Sequence, residues 1–291
     1  MSRIWKRPSM ILAATNLSPS SDRALERAFE LAHYWGARLY VVHAVHVDRH
    51  RIEEAAARTK AAENEIKLKI ANSPAAAGVD VEVLTTLGSP AERILAKCDR
   101  LFIDLCVMGA SERRTLGQKL LGTTVDRVLR HALQPVLSVH RPVVGPYRKI
   151  GIATDFLPPS RTALDCALAL FPSAEATAIH AYDVVLHGLI ASDRVTGPLA
   201  ERHEREMMEH VQHSLSALID GTRAAGPELS VASGIGDPEA VVTEFAERNA
   251  VDLMVVGTHG RTGIRRAVLG SVAERLIRQL PCDVLAVPSP Q

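Results

Sequence analysis

Short apolar runs separated by amphipathic stretches recur along the whole chain. Runs such as Leu105–Gly109 and Val251–Val256 are brief, rich in branched residues and nearly uninterrupted, which is typical of strands buried on both faces of a sheet. The stretches that follow such runs carry apolar residues at helical spacing, as in Val272–Leu280. This alternation predicts an α/β fold with parallel sheets and right-handed crossovers.

The order of these segments occurs twice. Gly88, in a Gly-Ser-Pro turn, recurs 148 residues later as Gly236, in a Gly-Asp-Pro turn. Gly109, at the end of an apolar run, recurs at the same distance as Gly257. Internal repetition at a fixed offset indicates two copies of one structural unit, and 291 residues are enough for about two domains.

We therefore predict two tandem domains, residues 1–141 and 147–291, each a five-stranded parallel sheet flanked by helices. The linker Arg141–Pro146 is short and contains two prolines, which makes it stiff. Two domains tied this closely are expected to pack as an internal pseudo-dimer. Where the copies differ in length, we predict amphipathic surface helices at Arg51–Ile70 and Ala200–Leu218.

The stretch after the fourth apolar run of the second half is a candidate binding site. Gly257 and Gly260 follow the run, and after nine further residues Gly270 and Ser271 open a helix. The unpaired N–H groups of a helix N-terminus suit phosphate, and glycine lets the backbone approach a ligand. The pattern is compatible with a nucleotide-phosphate cradle or with an ordinary loop whose glycines only turn the chain.

Composition and charge exclude several classes of protein. The net charge of +1 gives no sign of a nucleic-acid-binding surface, and no apolar run approaches the roughly 18 residues that span a bilayer. The apolar stretch Met10–Ala14 is too short for a signal peptide. The cysteines show no paired spacing, so we expect them to be reduced and buried in a cytoplasmic protein. They are Cys98, Cys106, Cys166 and Cys282.

Histidines occur in two settings. His210 and His213 lie one turn apart on the second predicted surface helix, with His203 before them. Zinc would need about three close ligands in a fixed arrangement, so a solvated, charged helix face is the preferred interpretation. His43 and His180 recur at equivalent strand positions, which predicts half-buried rings with satisfied hydrogen bonds.

No established catalytic motif is present in the sequence. The G-x-x-x-x-G-K-[ST] loop, the kinase H-R-D and D-F-G segments and the G-x-S-x-G elbow are all absent. The sequence also offers no clear general base for attack on a γ-phosphate. We therefore expect no rapid turnover of a nucleotide.

With the repeat and the glycine spacing established, the chain resembles a tandem universal stress protein from about Met10 to Val287. The most specific element is that family's ATP-binding pattern: glycine, two residues, glycine, nine residues, glycine, then serine or threonine. The second half carries it intact at Gly257, Gly260, Gly270 and Ser271. The resemblance implies Rossmann-like domains of the HUP type, with ATP as the ligand.

The resemblance also implies which residues of the second half surround the nucleotide. Those facing the nucleoside are Ala153, Thr154, Asp155, Ala181, Val256 and Gly257. Those bordering or holding the phosphates are His259, Gly260, Arg261, Gly270, Ser271 and Val272. Asp155 is also suited to placing a magnesium ion carried with ATP, because magnesium prefers hard oxygen ligands.

The first half departs from the family pattern. Glu112 stands where the second glycine belongs, and Asn16 replaces the aspartate of the first strand. The other motif positions keep Gly109, Gly122 and Thr123. Because a carboxylate would repel phosphate in a poorly solvated pocket, we predict weak or absent ATP binding in the first domain, or a pocket that has drifted to another ligand.

The leading hypothesis is a cytoplasmic, ATP-binding stress-response regulator or sensor. ATP would order the loop from Thr258 to Leu269 and change how this protein binds a protein partner. Two alternatives stay open: a slow ATPase or phosphotransferase, and an interaction module without nucleotide. Family domains commonly pair through their last strands, so we expect Val136–Val139 and Val284–Val287 to pair, with a homodimer of tandem chains as a further step. No nucleic-acid or membrane partner is predicted.

Overall fold

A single ten-stranded sheet runs through both halves of the protein. The computed structural model describes residues 5–45, 52–110, 124–182, 209, 214, 229–258 and 269–289. The strands are β1 (Met10–Thr15), β2 (Arg38–Val45), β3 (Val81–Leu87), β4 (Leu105–Gly109), β5 (Val136–Val139), β6 (Lys149–Ala153), β7 (Glu175–Tyr182), β8 (Leu229–Ile235), β9 (Leu253–Gly257) and β10 (Asp283–Val287). The helices of this described part are α1 (Pro19–Trp35), α2 (Ile52–Asn72), α3 (Pro90–Arg100), α4 (Thr124–His131), α5 (Pro158–Leu170), α6 (Pro238–Arg248) and α7 (Ser271–Gln279).

The strands follow the order β3-β2-β1-β4-β5-β10-β9-β6-β7-β8. Neighbouring strands within each half are parallel, and the halves meet where β5 pairs with β10 in antiparallel fashion. In each half the first strand borders both the second and the fourth, as in a doubly wound sheet. The predicted fold, two tandem α/β domains packed as an internal pseudo-dimer, is confirmed.

The last strands of the two halves form the central contact, as predicted for Val136–Val139 and Val284–Val287. Leu285 lies opposite Leu137, and every residue of the two strands is buried. Burial on both faces explains why these strands are nearly continuous apolar runs in the sequence.

Two ion pairs related by the internal symmetry join α4 and α7 across this contact. Arg130 Nη2 lies 3.0 Å from the Glu274 carboxylate, and Arg278 Nη2 lies 3.0 Å from the Asp126 carboxylate. The two arginines occupy equivalent positions of the repeat, and so do the two acids. Each half therefore supplies one cation and one anion to the same contact.

Asp283, at the start of β10, holds the linker in place. Its carboxylate accepts hydrogen bonds from the N–H groups of His140 and Arg141, at 2.8 and 3.2 Å, and from the Tyr147 hydroxyl at 2.6 Å. Burial, together with the nearby Asp283 charge, raises the pKa of the Tyr147 hydroxyl well above its usual value, so it remains a donor. Arg27 of α1 lies 4.0 Å from the centre of the Tyr147 ring and 3.6 Å from Asp283. A buried polar network therefore joins the linker to both halves.

One of the two predicted surface helices is confirmed. Helix α2, Ile52–Asn72, corresponds to the prediction at Arg51–Ile70. Its predicted counterpart, Ala200–Leu218, lies outside the described residues except for Glu209 and Ser214. No helix in the described part is both long and apolar enough to cross a bilayer.

The four cysteines are free and buried, as predicted. One contact between them was not predicted. Cys98 of α3 and Cys106 of β4 share a hydrogen bond, which together with burial raises the pKa of the Cys106 thiol well above its usual value. Burial also raises the pKa of the Cys282 thiol to about 11. Both thiols are therefore protonated near neutral pH, which makes them poor nucleophiles.

Candidate functional site

The predicted nucleoside-facing residues lie on the carboxyl edge of β6, β7 and β9. Because β6 borders both β7 and β9, the strand order reverses beside it, which is where ligands bind in open α/β sheets. Ala153 ends β6 and Gly257 ends β9, while Ala181 is the last residue but one of β7. Val256 is 2% exposed and packs in the core beneath this edge.

A compact hydrogen-bond network holds the turn after β6. Asp155 Oδ1 accepts hydrogen bonds from the Leu157 N–H at 3.1 Å and from the Ser160 hydroxyl at 2.8 Å. Thr154 Oγ1 accepts one from the Phe156 N–H at 3.1 Å and lies 3.2 Å from Ser160 Oγ. No donor among the described residues contacts Asp155 Oδ2. That oxygen is the one that a ligand or metal ion can use.

The first half builds a similar turn in which an asparagine and a different serine take part. Thr15 Oγ1 accepts a hydrogen bond from the Leu17 N–H at 3.0 Å and lies 3.0 Å from Ser21 Oγ. In place of a carboxylate, the Asn16 amide oxygen accepts hydrogen bonds from the Ser18 N–H and hydroxyl, at 3.2 and 2.6 Å. The first half therefore keeps the architecture of the turn but lacks its negative charge.

His43 and His180 occupy equivalent places beside the two turns. Their Nδ1 atoms lie 2.9 Å from the Thr15 carbonyl oxygen and 2.8 Å from the Thr154 carbonyl oxygen, respectively. Because a carbonyl oxygen only accepts, Nδ1 is the donor in each case. The predicted hydrogen-bonded rings are confirmed, and the His180 ring is more deeply buried than the His43 ring.

Gly109 and Gly257 are glycines because a helix crosses each strand end closely. A Cβ atom on Gly109 would lie 2.4 Å from the carbonyl oxygen of Ser20, in the first turn of α1. On Gly257 it would lie 2.9 Å from the carbonyl oxygen of Pro159, in the first turn of α5. The first glycine of the motif is therefore required by packing. A glycine at this position is therefore not in itself a sign of phosphate binding.

We expect Gly109→Ala to destabilise the protein more than Gly257→Ala. Overpacking a close contact costs about 1–3 kcal/mol, and the contact at Gly109 is the shorter of the two. Denaturant-induced unfolding of the full chain measures both free energies. A Gly109→Ala protein as stable as the wild type would contradict the packing explanation.

The loop between β9 and α7 is closed at its base by backbone hydrogen bonds. The Gly270 N–H donates to the Thr258 carbonyl at 2.8 Å, and the Thr258 N–H donates to the Val287 carbonyl at 3.0 Å. Helix α7 begins at Ser271 without a side-chain cap, and Ser271 is exposed while Val272 is half-buried. The first N–H groups of α7 and the Ser271 hydroxyl therefore lie at the carboxyl edge in position to meet an anion.

Other predicted residues lie outside the described part of the chain. They are His259, Gly260 and Arg261 of the phosphate loop, Glu112 of the first half, and the helix histidines His203, His210 and His213. Within the described residues, no three His, Cys, Asp or Glu side chains form a group that could hold a metal ion. A cavity of about 370 Å³ lies between α1 and α2. It does not include the strand ends, so it is not the predicted site.

The two doubly wound halves, with the same turn at both strand edges, define a tandem Rossmann-like α/β protein. The model of the universal stress protein family matches residues 9–140 and 146–288. The chain therefore belongs to the universal stress protein family and carries two family domains in tandem.

Individual relatives agree with this assignment. A universal stress protein of Methanocaldococcus jannaschii is 33% identical over 147 residues, which cover 50% of this chain and 84% of the relative. Universal stress protein A homolog 1 of Coxiella burnetii is 30% identical over 142 residues, or 48% of this chain and 96% of the relative. The crystal structure of a universal stress protein from Archaeoglobus fulgidus aligns with 97% of this chain and 99% of its own, with a TM-score of 0.73 and 21% identity. That likeness shows the same tandem fold.

Sequence reasoning missed the serine that organises each turn. Ser160 contacts both Thr154 and the aspartate of the turn, and Ser21 contacts Thr15 in the first half. The signal was present in the repeat, because a threonine and a serine stand six residues apart in both copies. Comparing the copies position by position would have revealed it.

Proposed function

We propose that this protein binds ATP in its second half and acts in the cytoplasm as a nucleotide-dependent regulator or sensor of a stress response. The observation that carries the proposal is the uncapped start of α7, which lies on the same sheet edge as Asp155. A helix N-terminus with unpaired N–H groups attracts phosphate through hydrogen bonds and the helix dipole. The second half also carries the intact ATP-binding pattern of its family.

The proposed arrangement follows the sheet edge. The nucleoside lies against the ends of β6 and β7, over the end of β9, with its phosphates at the start of α7. In this arrangement the nucleoside site comprises Ala153, Thr154, Asp155, Ala181, Val256 and Gly257, and the phosphate site comprises His259, Gly260, Arg261, Gly270, Ser271 and Val272. The second carboxylate oxygen of Asp155 is suited to a magnesium ion that accompanies ATP.

The proposal assigns one ATP site to each chain. In the first half, Asn16 replaces the charged aspartate, and its amide oxygen is engaged by the two donors of Ser18. The sequence also places the carboxylate of Glu112 at the second glycine position of the motif. Both differences remove features that favour magnesium-bound phosphate.

Regulation requires ATP to bind two states of the protein with different affinities. The segment between Thr258 and Gly270 is the proposed switch, because its ends are joined by a backbone hydrogen bond and its C-terminal end opens α7. Helix α7 in turn contacts α4 of the first half through Glu274 and Arg278. A protein partner, or a second copy of the tandem chain, would recognise the resulting change in the surface of this protein.

Calorimetric titration of the nucleotide-free full chain with magnesium and ATP is expected to give one bound ATP per chain. The physical reason is the single intact phosphate site. Limited proteolysis in the same buffer reports the regulatory step, because Arg261 and Arg266 are trypsin sites within the proposed switch. Bound ATP is expected to slow cleavage there.

Each result has a contradicting outcome. Absence of both binding heat and a thermal shift at millimolar ATP would refute nucleotide binding. Two ATP molecules per chain would refute the difference between the halves. Binding with unchanged tryptic cleavage would refute the proposed switch while leaving the binding site standing.

A further inference from the structure

Two carboxylates share one guanidinium where the linker meets both halves. Arg27 Nη1 lies 2.5 Å from the Glu30 carboxylate, and Arg27 Nε lies 3.6 Å from the Asp283 carboxylate. The Arg27 and Asp283 side chains are 6% and 2% exposed, and the Glu30 side chain is 22% exposed. These residues and Tyr147 form the junction between the halves. Since one cation faces two anions, the junction carries a surplus negative charge at a place that largely excludes water, and such a charge is destabilising.

The two carboxylates are held differently. Asp283 accepts three hydrogen bonds, from two backbone N–H groups and from the Tyr147 hydroxyl, and each of these donors stabilises its charge. Within the described residues, Glu30 accepts one hydrogen bond, from Arg27. Its side chain is also the more accessible of the two. A proton that relieves the surplus charge therefore binds to Glu30 rather than to Asp283.

On α1 the neighbours of Glu30 leave its charge to Arg27. Glu26 lies one turn earlier and accepts a hydrogen bond from the Ser73 hydroxyl. His33 lies one turn later and is exposed to solvent, which screens any charge on its ring. Arg27 is therefore the cation of α1 that is held against Glu30.

The other elements around the junction add no buried cation. Tyr147 remains neutral, because burial raises the pKa of its hydroxyl well above its usual value. The Arg141 residue is exposed, and His140 Nε2 lies 3.2 Å from the hydroxyl of a β5 serine. The end of α5 beside the Tyr147 ring has no charged side chain over residues 166–171. The surplus negative charge is therefore not balanced from these directions.

The titration of Glu30 agrees with this charge count. Burial raises the pKa of its carboxyl above the usual value, Arg27 opposes the shift, and repulsion by Asp283 adds to it. The folded state therefore binds a proton on Glu30 more tightly than the unfolded state does. This group stabilises the protein as the pH falls through its folded pKa, and the contribution is lost as the pH rises. An ordinary paired carboxylate behaves in the opposite way.

We propose that Glu30 makes the contact between the two halves sensitive to pH, because its protonation leaves Arg27 to balance Asp283 alone and strengthens the junction on acidification. The junction joins α1 of the first half to the linker and to β10 of the second half. Protonated Glu30 still accepts a hydrogen bond from Arg27 through its carbonyl oxygen, so that contact is kept. The effect requires no nucleotide and is therefore independent of the proposed ATP site.

The test compares urea unfolding of the full wild-type chain and of Glu30→Gln at about pH 7.5 and about pH 5.0, without nucleotide. Glutamine mimics the protonated carboxyl. At the higher pH, Glu30→Gln is expected to unfold at a higher urea concentration than the wild type. At the lower pH, the two midpoints are expected to approach each other, because Glu30 of the wild type then takes up its proton.

Amide hydrogen exchange reports the junction itself. The N–H groups of His140 and Arg141 donate to Asp283, so their protection, corrected for the intrinsic exchange rate at each pH, measures how often the junction opens. In the wild type this protection is expected to rise from the higher to the lower pH. In Glu30→Gln it is expected to change less, since the charge is already absent.

Glu63→Gln is the matched control, because Glu63 of α2 pairs with Lys67, which lowers the pKa of the Glu63 carboxyl. Glu63→Gln is therefore expected to be no more stable than the wild type at the higher pH. A Glu30→Gln protein that is less stable than the wild type there, or that differs from it equally at both pH values, would overturn the proposal. Equal stabilisation by both substitutions would show only a general effect of removing a carboxylate. Wild-type protection that does not rise on acidification would contradict the proposal without any variant.

Discussion

Replacing Asp283 with alanine is expected to lower the free energy of unfolding by about 3–5 kcal/mol, the usual cost of removing one partner from a buried charge network. The Asp283 residue is 1% exposed. It is the shared acceptor of the N–H groups of His140 and Arg141 and of the Tyr147 hydroxyl. Without the carboxylate, these donors lose their acceptor at a place that excludes water, and each lost bond leaves a desolvated polar group.

The same substitution removes a counter-charge from Arg27. This residue is 5% exposed, and its Nε lies 3.6 Å from the Asp283 carboxylate. Its Nη1 donates to Glu30 at 2.5 Å and to the Gly145 carbonyl at 2.8 Å, and both contacts would remain. Burial raises the pKa of Glu30 despite the opposing effect of Arg27, which makes Glu30 a weaker counter-charge as the pH falls.

Urea unfolding of the full chain, followed by tryptophan fluorescence, measures this loss. Asp252→Ala is the matched control, because Asp252 also accepts two backbone N–H groups, from Arg148 and Lys149 at 2.9 Å each. Those bonds are exposed to solvent, so the expected loss is only about 1 kcal/mol. Equal destabilisation by the two substitutions would show that the buried network contributes no more than an exposed pair of hydrogen bonds.

Asp283 also shows which part of the fold the sequence could predict. The alternating apolar runs and the fixed offset of the repeat were enough to predict a parallel sheet in each half, whereas the pairing of the last strands was expected from the family resemblance. The same offset aligns Asp283 with Pro135, so its carboxylate has no counterpart in the first half. Its hydrogen-bond partners lie 136 to 143 residues away in the chain. No local pattern or periodicity reports contacts of that kind.

Gly257 shows how much of the candidate site could be predicted from the sequence. The sequence placed this glycine at a strand end, and the structure confirms that position. The pattern did not reveal why glycine is needed, since the carbonyl that approaches it belongs to Pro159, almost a hundred residues earlier. The loss of the aspartate at Asn16 could be predicted from the sequence alone, because the equivalent residue of the second half is Asp155. Repetition thus predicts where the halves differ, while the physical role of each residue depends on contacts distant in sequence.

Gly260→Glu is expected to weaken ATP binding by at least about 100-fold, roughly 2.7 kcal/mol, without loss of the fold. The substitution gives the second half the residue that the first half carries as Glu112. Two like charges about 4 Å apart repel by about 4 kcal/mol at an effective dielectric constant of 20, which is enough to offset the attraction of a helix start for phosphate. The fold is expected to tolerate the change, because the first half forms β4 and α4 on either side of its own glutamate.

Gly263→Glu is the matched control, since it adds the same charge to the same loop at a position outside the motif. Calorimetric titration with ATP is expected to separate the two variants, with Gly263→Glu retaining affinity within about tenfold of the wild type. Thermal unfolding without ATP should be the same for all three proteins. Equal loss of affinity in both variants would mean that a general change in charge, rather than the second glycine position, governs binding. Unchanged ATP affinity of the Gly260→Glu protein would show instead that Glu112 is not the reason for weak ATP binding in the first half. The proposal of one ATP site per chain would then depend on Asn16 alone.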